Sequence, residues 1–254
     1  MNAIGTLEWA RASGGRLTGR ERVALTTRGM AAQLRQMSDW AAFRLGVGRD
    51  RLLRLDLDSV RVPDSAAAKR AEEVLETLPP YMRHHSHRSY LWAYGLGKLY
   101  GVSFDEELLY VCSLLHDAGL YVEDGRAPDE CFTLASAHAA AGCAEAGGWE
   151  TDRREHAMEA ITLHINPDVA PEQDVEASLL TRGSTMDVIA LRGAWRIEPS
   201  TKSAVLARHP RENAAPQLVP VLKGHGKQAP RCRIAFYLRY GGLGQMVLHG
   251  PWDD

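Results

Sequence analysis

The sequence predicts an all-α protein, and this prediction depends on two observations. Apolar residues recur every three or four positions along most of the chain, which is the period of an amphipathic helix. Residues that commonly end helices, such as Gly101 and Pro167, fall between these stretches. The chain has 254 residues, of which 45% are hydrophobic and 24% charged, as in an ordinary globular protein. We therefore expect a single helical bundle.

Individual helices are predicted from the same spacing together with local start and stop signals. Ser103 and Glu106 form a capping-box pattern before one helix, and Gly183 either interrupts another or lies within it. An alternating segment at 53–58 favours a short extended backbone. In chain order, we expect helices at 20–45, 65–78, 81–100, 104–116, 133–146, 151–164, 172–191, 204–209 and 229–240.

We expect residues 1–60 to form an N-terminal helical extension and residues 61–254 to form the main domain with a C-terminal helical tail. The formal net charge of −2 gives no reason to bind nucleic acid or an anionic membrane. No apolar run approaches the ~20 residues that span a bilayer. The expected partner is a small-molecule substrate. Trp195 and Trp252 either form a contact in a homo-oligomer or only cover the domain.

The four cysteines are scattered among apolar or small residues and form no CxxC pair. No secretory signal is visible at the start of the chain. We therefore expect reduced thiols in a cytoplasmic protein and do not expect a cysteine-rich zinc site.

A histidine and an aspartate, His116 and Asp117, stand side by side in an apolar run. A buried carboxylate without a partner costs several kcal/mol, and a divalent cation is a good partner for both side chains. His85 at a helix start and Asp187 in another apolar run are further candidate ligands. Each has an ordinary alternative, since a histidine can be a satisfied core residue and Asp187 can pair with an arginine. The residue types suit Zn²⁺, Mn²⁺ and Fe²⁺ about equally.

The order His85, His116-Asp117 and Asp187 on successive helices resembles the signature of the HD superfamily of metal-dependent hydrolases. Residues 85–88 (HSHR) resemble its opening element, and residues 114–119 (LLHDAG) resemble its central element. The resemblance implies an all-α HD domain with a metal bound by these four residues.

Among HD proteins, the chain is most similar to the cyanamide-hydratase-like branch. Residues 62–65 (VPDS), 160–167 (AITLHINP) and the tail from Pro230 to Asp253 carry this similarity. It implies one divalent ion, zinc in first place with iron or manganese as alternatives. It also implies a lyase or hydrolase activity, in which hydroxide generated at the metal adds to a small, nitrile- or cyanamide-like substrate.

Phe132 occupies the position at which many HD proteins carry a histidine for a second metal. This favours one metal, although His138 and His164 could rebuild a second site. Catalytic roles are expected for Asp117, His164 and Arg88. We expect Tyr94, Phe132, His138 and Asn166 to contact the substrate.

Three other functions are compatible with the sequence. One is an HD phosphohydrolase that acts on a nucleotide or another phosphomonoester, with Arg88 holding the phosphate. The second is a di-iron HD oxygenase whose second iron is bound by His138 and His164. The third is a non-catalytic binding protein in which the metal only stabilises the fold.

Overall fold

In the computed structural model, which describes residues 3–121, 129–191, 193–250 and 252, the all-α prediction is confirmed. Short 3₁₀ turns lie at Ala118–Leu120 and Ala194–Arg196, and the described residues contain only isolated β-bridges and no strand. The α-helices are α1 (Leu7–Ser13), α2 (Gly19–Arg44), α3 (Ala66–Leu75), α4 (Pro80–Tyr100), α5 (Glu106–Leu115), α6 (Phe132–Ala146), α7 (Thr151–Leu163), α8 (Val175–Ile189), α9 (Pro199–Arg208), α10 (Ala214–Gln228), α11 (Arg233–Tyr240) and α12 (Leu243–Leu248).

Most predicted helices exist, with differences at their ends. The predicted capping box at Ser103 is wrong, because α5 begins at Glu106 and the Asp105 carboxylate caps it by accepting the Leu108 N–H at 3.0 Å. In the segment predicted to be extended, Leu53 forms one bridge, with Ile197.

Sequence reasoning missed α1, α10 and α12. Pro220 lies inside α10, and proline is normally a signal against a helix interior. Leu218 and Leu222 on the same helix are buried, so tertiary packing outweighs this local preference.

Helices α4 and α8 form the most extensive pair among the described elements and lie in the core. Helix α8 passes through Gly183 without interruption. A Cβ at this position would lie 2.4 Å from the Ser89 carbonyl oxygen of α4. Glycine is therefore required at residue 183 because two helix backbones cross closely there.

Helix α2 was predicted correctly, but its apolar residues mostly face outward. Only Leu25 and Ala32 are buried, whereas Leu34, Met37 and Trp40 are among the exposed large side chains. No helix in the described part of the chain is both long and apolar enough to cross a membrane.

Candidate metal centre

Three of the predicted ligands form one buried cluster. Potential ligand atoms of His85, His116 and Asp117 lie within 4.8 Å of one another, and all three residues are buried. The Nε2 atoms of the two histidines are 3.1 Å apart, and each lies 3.5 Å from Asp117 Oδ2. Two imidazole nitrogens and one carboxylate oxygen therefore converge on one point.

The end of α5 positions the His-Asp pair. His116 is the residue directly after the helix, and its Nδ1 donates to the Ser113 carbonyl oxygen at 2.8 Å. Because a carbonyl only accepts, the proton of the neutral ring is on Nδ1 and the Nε2 lone pair faces the cluster. Two residues after Asp117, the chain packs closely against α6 at Gly119. A Cβ at residue 119 would lie 2.2 Å from the Phe132 carbonyl oxygen.

Asp187, the fourth predicted ligand, occupies a different place. Its Oδ2 lies 2.8 Å from Nδ1 of His85, the ring nitrogen opposite the cluster. Asp187 is not among the residues whose ligand atoms converge. A carboxylate bound to the second nitrogen of a ligating histidine orients the ring and increases its basicity. Asp187 therefore lies on the side of the His85 ring that faces away from the donor cluster.

Arg88 was predicted as a catalytic residue, but it is fully buried and is not part of the cavity wall described below. Its Nε and Nη2 donate to the two carboxylate oxygens of Asp187 at 2.7 and 2.9 Å. Burial alone would raise the pKa of Asp187, but the Arg88 charge and the hydrogen bonds lower it. Arg88 is therefore a positioning residue, because its guanidinium holds this carboxylate through Nε and Nη2 and donates through Nη1 to the carbonyl oxygens of His209 and Pro210.

The charges of the cluster suit a bound cation. Burial lowers the pKa of His116 to about 3, so its ring is neutral at neutral pH. Burial alone would raise the pKa of Asp117, but three neighbouring histidines hold it well below 3.8. Burial also disfavours charged His85, yet hydrogen bonds with Asp117 and Asp187 outweigh burial and raise its pKa.

The ion-pair partners of Asp117 among the described residues are histidines alone. This buried carboxylate therefore has no lysine or arginine ion-pair partner in the described part of the chain. A divalent ion would complete this arrangement, so the donor set fits a metal.

His164 also reaches the cluster. It directly follows α7, its Nε2 lies 3.5 Å from Asp117 Oδ1, and its Nδ1 donates to the Ile161 carbonyl oxygen at 2.6 Å. The Nε2 atom therefore faces Asp117, while the opposite ring nitrogen is held by the backbone. Its ring also meets the His116 ring edge-on, with 5.0 Å between centroids.

A cavity of about 580 Å³ opens onto the cluster. The cavity is lined by His85, His116, Asp117 and His164, and the predicted contact residue Phe132 also forms part of its wall. Asn166 also lines the cavity, but Ile4 and Arg233 hold its amide group by hydrogen bonds of 2.8 Å.

Two residues predicted to contact the substrate lie away from this cavity. Tyr94 is buried in the core, where it packs edge-on against Phe104, and His138 is exposed on α6. Neither lines the cavity. His138 lies six residues after Phe132 on the same helix. At 3.6 residues per turn this is one full turn plus about 240°, so the His138 side chain leaves the helix on a different face from Phe132.

Most of the cavity wall was missed from the sequence. Apolar residues of α2, α8, α10 and the last two helices form it, and those helices are distant along the chain. Local signals could have indicated a few wall residues, such as Thr185, two residues before Asp187, and Ile165 and Pro167 in the 160–167 segment. The others include Leu25, Met30, Val188, Leu218, Ile234, Tyr240 and Met246.

The fold and the site together define an all-α protein with a buried centre of two histidines and one carboxylate, suited to a divalent ion. A family model described as HD domain matches residues 82–208, which is half of the chain, so the chain belongs to the HD-domain family. This family generally consists of metal-dependent hydrolases. No curated protein matched the chain.

Proposed function

We propose that this protein is a metal-dependent hydrolase or hydratase for a neutral, largely apolar small molecule. The observation that carries the proposal is the cavity of about 580 Å³, which is lined by the donor cluster and otherwise mostly by apolar surface. Among the described residues that line it, none is a lysine or an arginine.

The proposed ligands are His85, His116 and Asp117, with Asp187 and Arg88 holding His85 in place. When bound, a divalent ion supplies a water of lowered pKa and a Lewis acid for the reacting group. His164 Nε2 is the candidate to hold or move a proton during the reaction, since it faces both Asp117 and the cavity.

The size of the cavity refines the expected substrate. Its volume lies within the ~300–1,000 Å³ range of pockets that bind organic ligands. Cyanamide itself would fill only a small part of it. We therefore propose a substrate with an apolar body and one reactive carbon–nitrogen group, such as a nitrile or an amide. A phosphomonoester is disfavoured because phosphate groups are normally held by arginine or lysine.

A substrate screen with defined metals tests this proposal. The protein is stripped with a chelator, reloaded separately with Zn²⁺, Mn²⁺ or Fe²⁺, and assayed with nitriles and amides of increasing apolar size, phosphomonoesters and nucleotides. We expect turnover of the neutral substrates, with kcat/KM increasing with apolar size. His116→Ala should abolish it because one of three clustered donors is lost. His249→Ala, which removes an exposed histidine outside the cavity wall, should leave it unchanged.

The same screen can overturn the proposal. Phosphate release without turnover of any neutral substrate would identify a phosphohydrolase. Substrate-dependent oxygen consumption by the iron form would identify an oxygenase. A metal-loaded protein that melts at a higher temperature but turns over nothing would indicate a binding protein.

A further inference from the structure

A second cluster of metal-binding side chains lies away from the HD centre. Potential ligand atoms of Cys131, His225 and Cys232 lie within 4.8 Å of one another. All three residues are buried, with exposed fractions of 0%, 4% and 0%, and none lines the cavity. They come from the residue before α6, the last turn of α10 and the residue before α11.

The imidazole in this cluster is incompletely satisfied by the protein. Nε2 of His225 accepts the Phe132 backbone N–H at 3.1 Å. Its Nδ1 is buried and has no hydrogen-bond partner among the described residues. Because Nε2 accepts this hydrogen bond, the proton of the neutral ring is on Nδ1, and a bound ion would take the place of the Phe132 N–H at Nε2.

The two sulfur atoms are placed as acceptors. Thr133 Oγ1 donates to Cys131 Sγ at 3.3 Å, and the Ala235 N–H donates to Cys232 Sγ at 3.4 Å. Donors around a sulfur favour the thiolate form, which is the form that binds metals.

The N-terminal segment packs closely against Cys131 at residues 14 and 15. The Cys131 N–H donates to the Gly14 carbonyl oxygen at 3.0 Å. Gly15 has a φ of +74°, and a Cβ there would lie 2.3 Å from the Cys131 Cβ. The backbone can pass this close to the cysteine only because residue 15 is a glycine.

We propose that Cys131, His225 and Cys232 bind one zinc ion at a structural site separate from the HD centre. Two sulfurs and one imidazole nitrogen form a soft donor set that suits zinc, whereas the HD centre offers imidazole and carboxylate. The ion would tie α10 and α11 to the start of α6. His225 also packs edge-on against Phe132, with 5.3 Å between ring centroids, so the zinc would support a wall of the cavity.

Metal analysis of purified variants tests the site without an activity assay. In the His116→Ala variant, which lacks a donor of the HD centre, we expect about one zinc per chain to remain. Adding Cys131→Ser or Cys232→Ser should remove this ion. Adding Cys143→Ser should not, because Cys143 is a buried free thiol on α6 outside the cluster.

Cobalt substitution provides a second measurement on the chain with all four cysteines. Thiolate-bound Co²⁺ has a charge-transfer absorption in the near ultraviolet, which a centre of imidazole and carboxylate lacks. We expect this absorption in the unmutated protein and in His116→Ala. This measurement decides the question even if the serine variants do not fold.

Three results would overturn the proposal. The first is a fully cobalt-loaded protein without the thiolate absorption. The second is a mass about 2 Da lower with two fewer titratable thiols, together with peptide mapping that assigns the disulfide to Cys131 and Cys232. The third is reduced thiols without bound zinc. No readout depends on turnover, so failure of the proposed enzymatic function leaves this test valid.

Discussion

The side chain of Asp187 connects the metal centre to the protein core. One oxygen contacts His85, and the other accepts the indole N–H of Trp92 at 3.1 Å. Arg88 binds both oxygens and also donates to the backbone carbonyls of His209 and Pro210. The orientation of His85 therefore depends on a buried ion pair that does not itself reach the cavity.

Removing the arginine of this pair should be severely destabilising. Arg88→Met removes the charged hydrogen bonds from the buried Asp187 carboxylate and leaves Arg211, 3.9 Å away, as a more distant cation. Breaking a buried pair in this way typically costs about 3–5 kcal/mol. Urea unfolding measures the free energy, and zinc titration should show affinity weakened by about 10–100-fold because His85 loses its orientation.

Arg83→Met is the matched control for this prediction. Arg83 lies on the same helix and pairs with Glu76, but both side chains are partly or largely exposed. Such surface pairs contribute only about 0–1 kcal/mol. Equal losses of stability in the two variants would contradict the role assigned to the buried pair.

At the scale of helices, the crossing of α4 and α8 determines where Asp187 lies relative to His85. The close approach at Gly183 brings the two backbones together one turn before Asp187. The sequence signal at Gly183 was therefore correctly noticed, but it marks a crossing of two helices rather than a break in one.

Gly183→Ala should destabilise the protein by about 1–3 kcal/mol, because the added methyl group would meet the α4 backbone. Gly142→Ala on α6 is the matched control. A Cβ at residue 142 meets nothing within 4 Å, so this change should stabilise the protein by about 0.5–1 kcal/mol. Thermal melting of both variants checks the prediction, and a stabilised Gly183→Ala protein would refute the close crossing.

At the scale of the whole molecule, the pH dependence of stability should contain a contribution from His156. Its Nε2 lies 3.3 Å from Asp174 and 3.4 Å from Glu176 across the α7–α8 connection. Hydrogen bonds with these carboxylates raise the pKa of His156 to about 10, from an ordinary value of 6.5. The folded state therefore binds this proton more tightly than the unfolded chain does.

The stabilisation should be fully present below pH 6.5 and should disappear as the pH rises through about 10. We expect His156→Gln to melt below the unmutated protein at pH 6 and to match it above pH 10. His138→Gln, a change at an exposed histidine, controls for the loss of a ring. A melting difference that is constant from pH 6 to 10.5 would contradict the assignment.

The sequence by itself determined the helical class and the chemistry of the HD centre. Helix periodicity is a local property, so most of the helices could be predicted from neighbouring residues. The pair His116-Asp117 was recognisable because two polar residues in an apolar run require a partner. The motif order was sufficient to predict the HD family, which the family match at 82–208 confirms. The cyanamide-hydratase-like branch and the cytoplasmic location stay predictions.

Only the tertiary structure decided which side chains share a site. In the structure, Asp187 contacts the ring nitrogen of His85 that faces away from the cluster, and Tyr94 and His138 do not line the cavity. Most of the apolar face of α2 is exposed. It also brought Cys131 close to Cys232, although the two are distant in sequence and form no recognisable motif. The physical reason is that such distances depend on how helices pack and rotate against each other. A repeat of 3.6 residues specifies the face of one helix but not the residue that a second helix places opposite it.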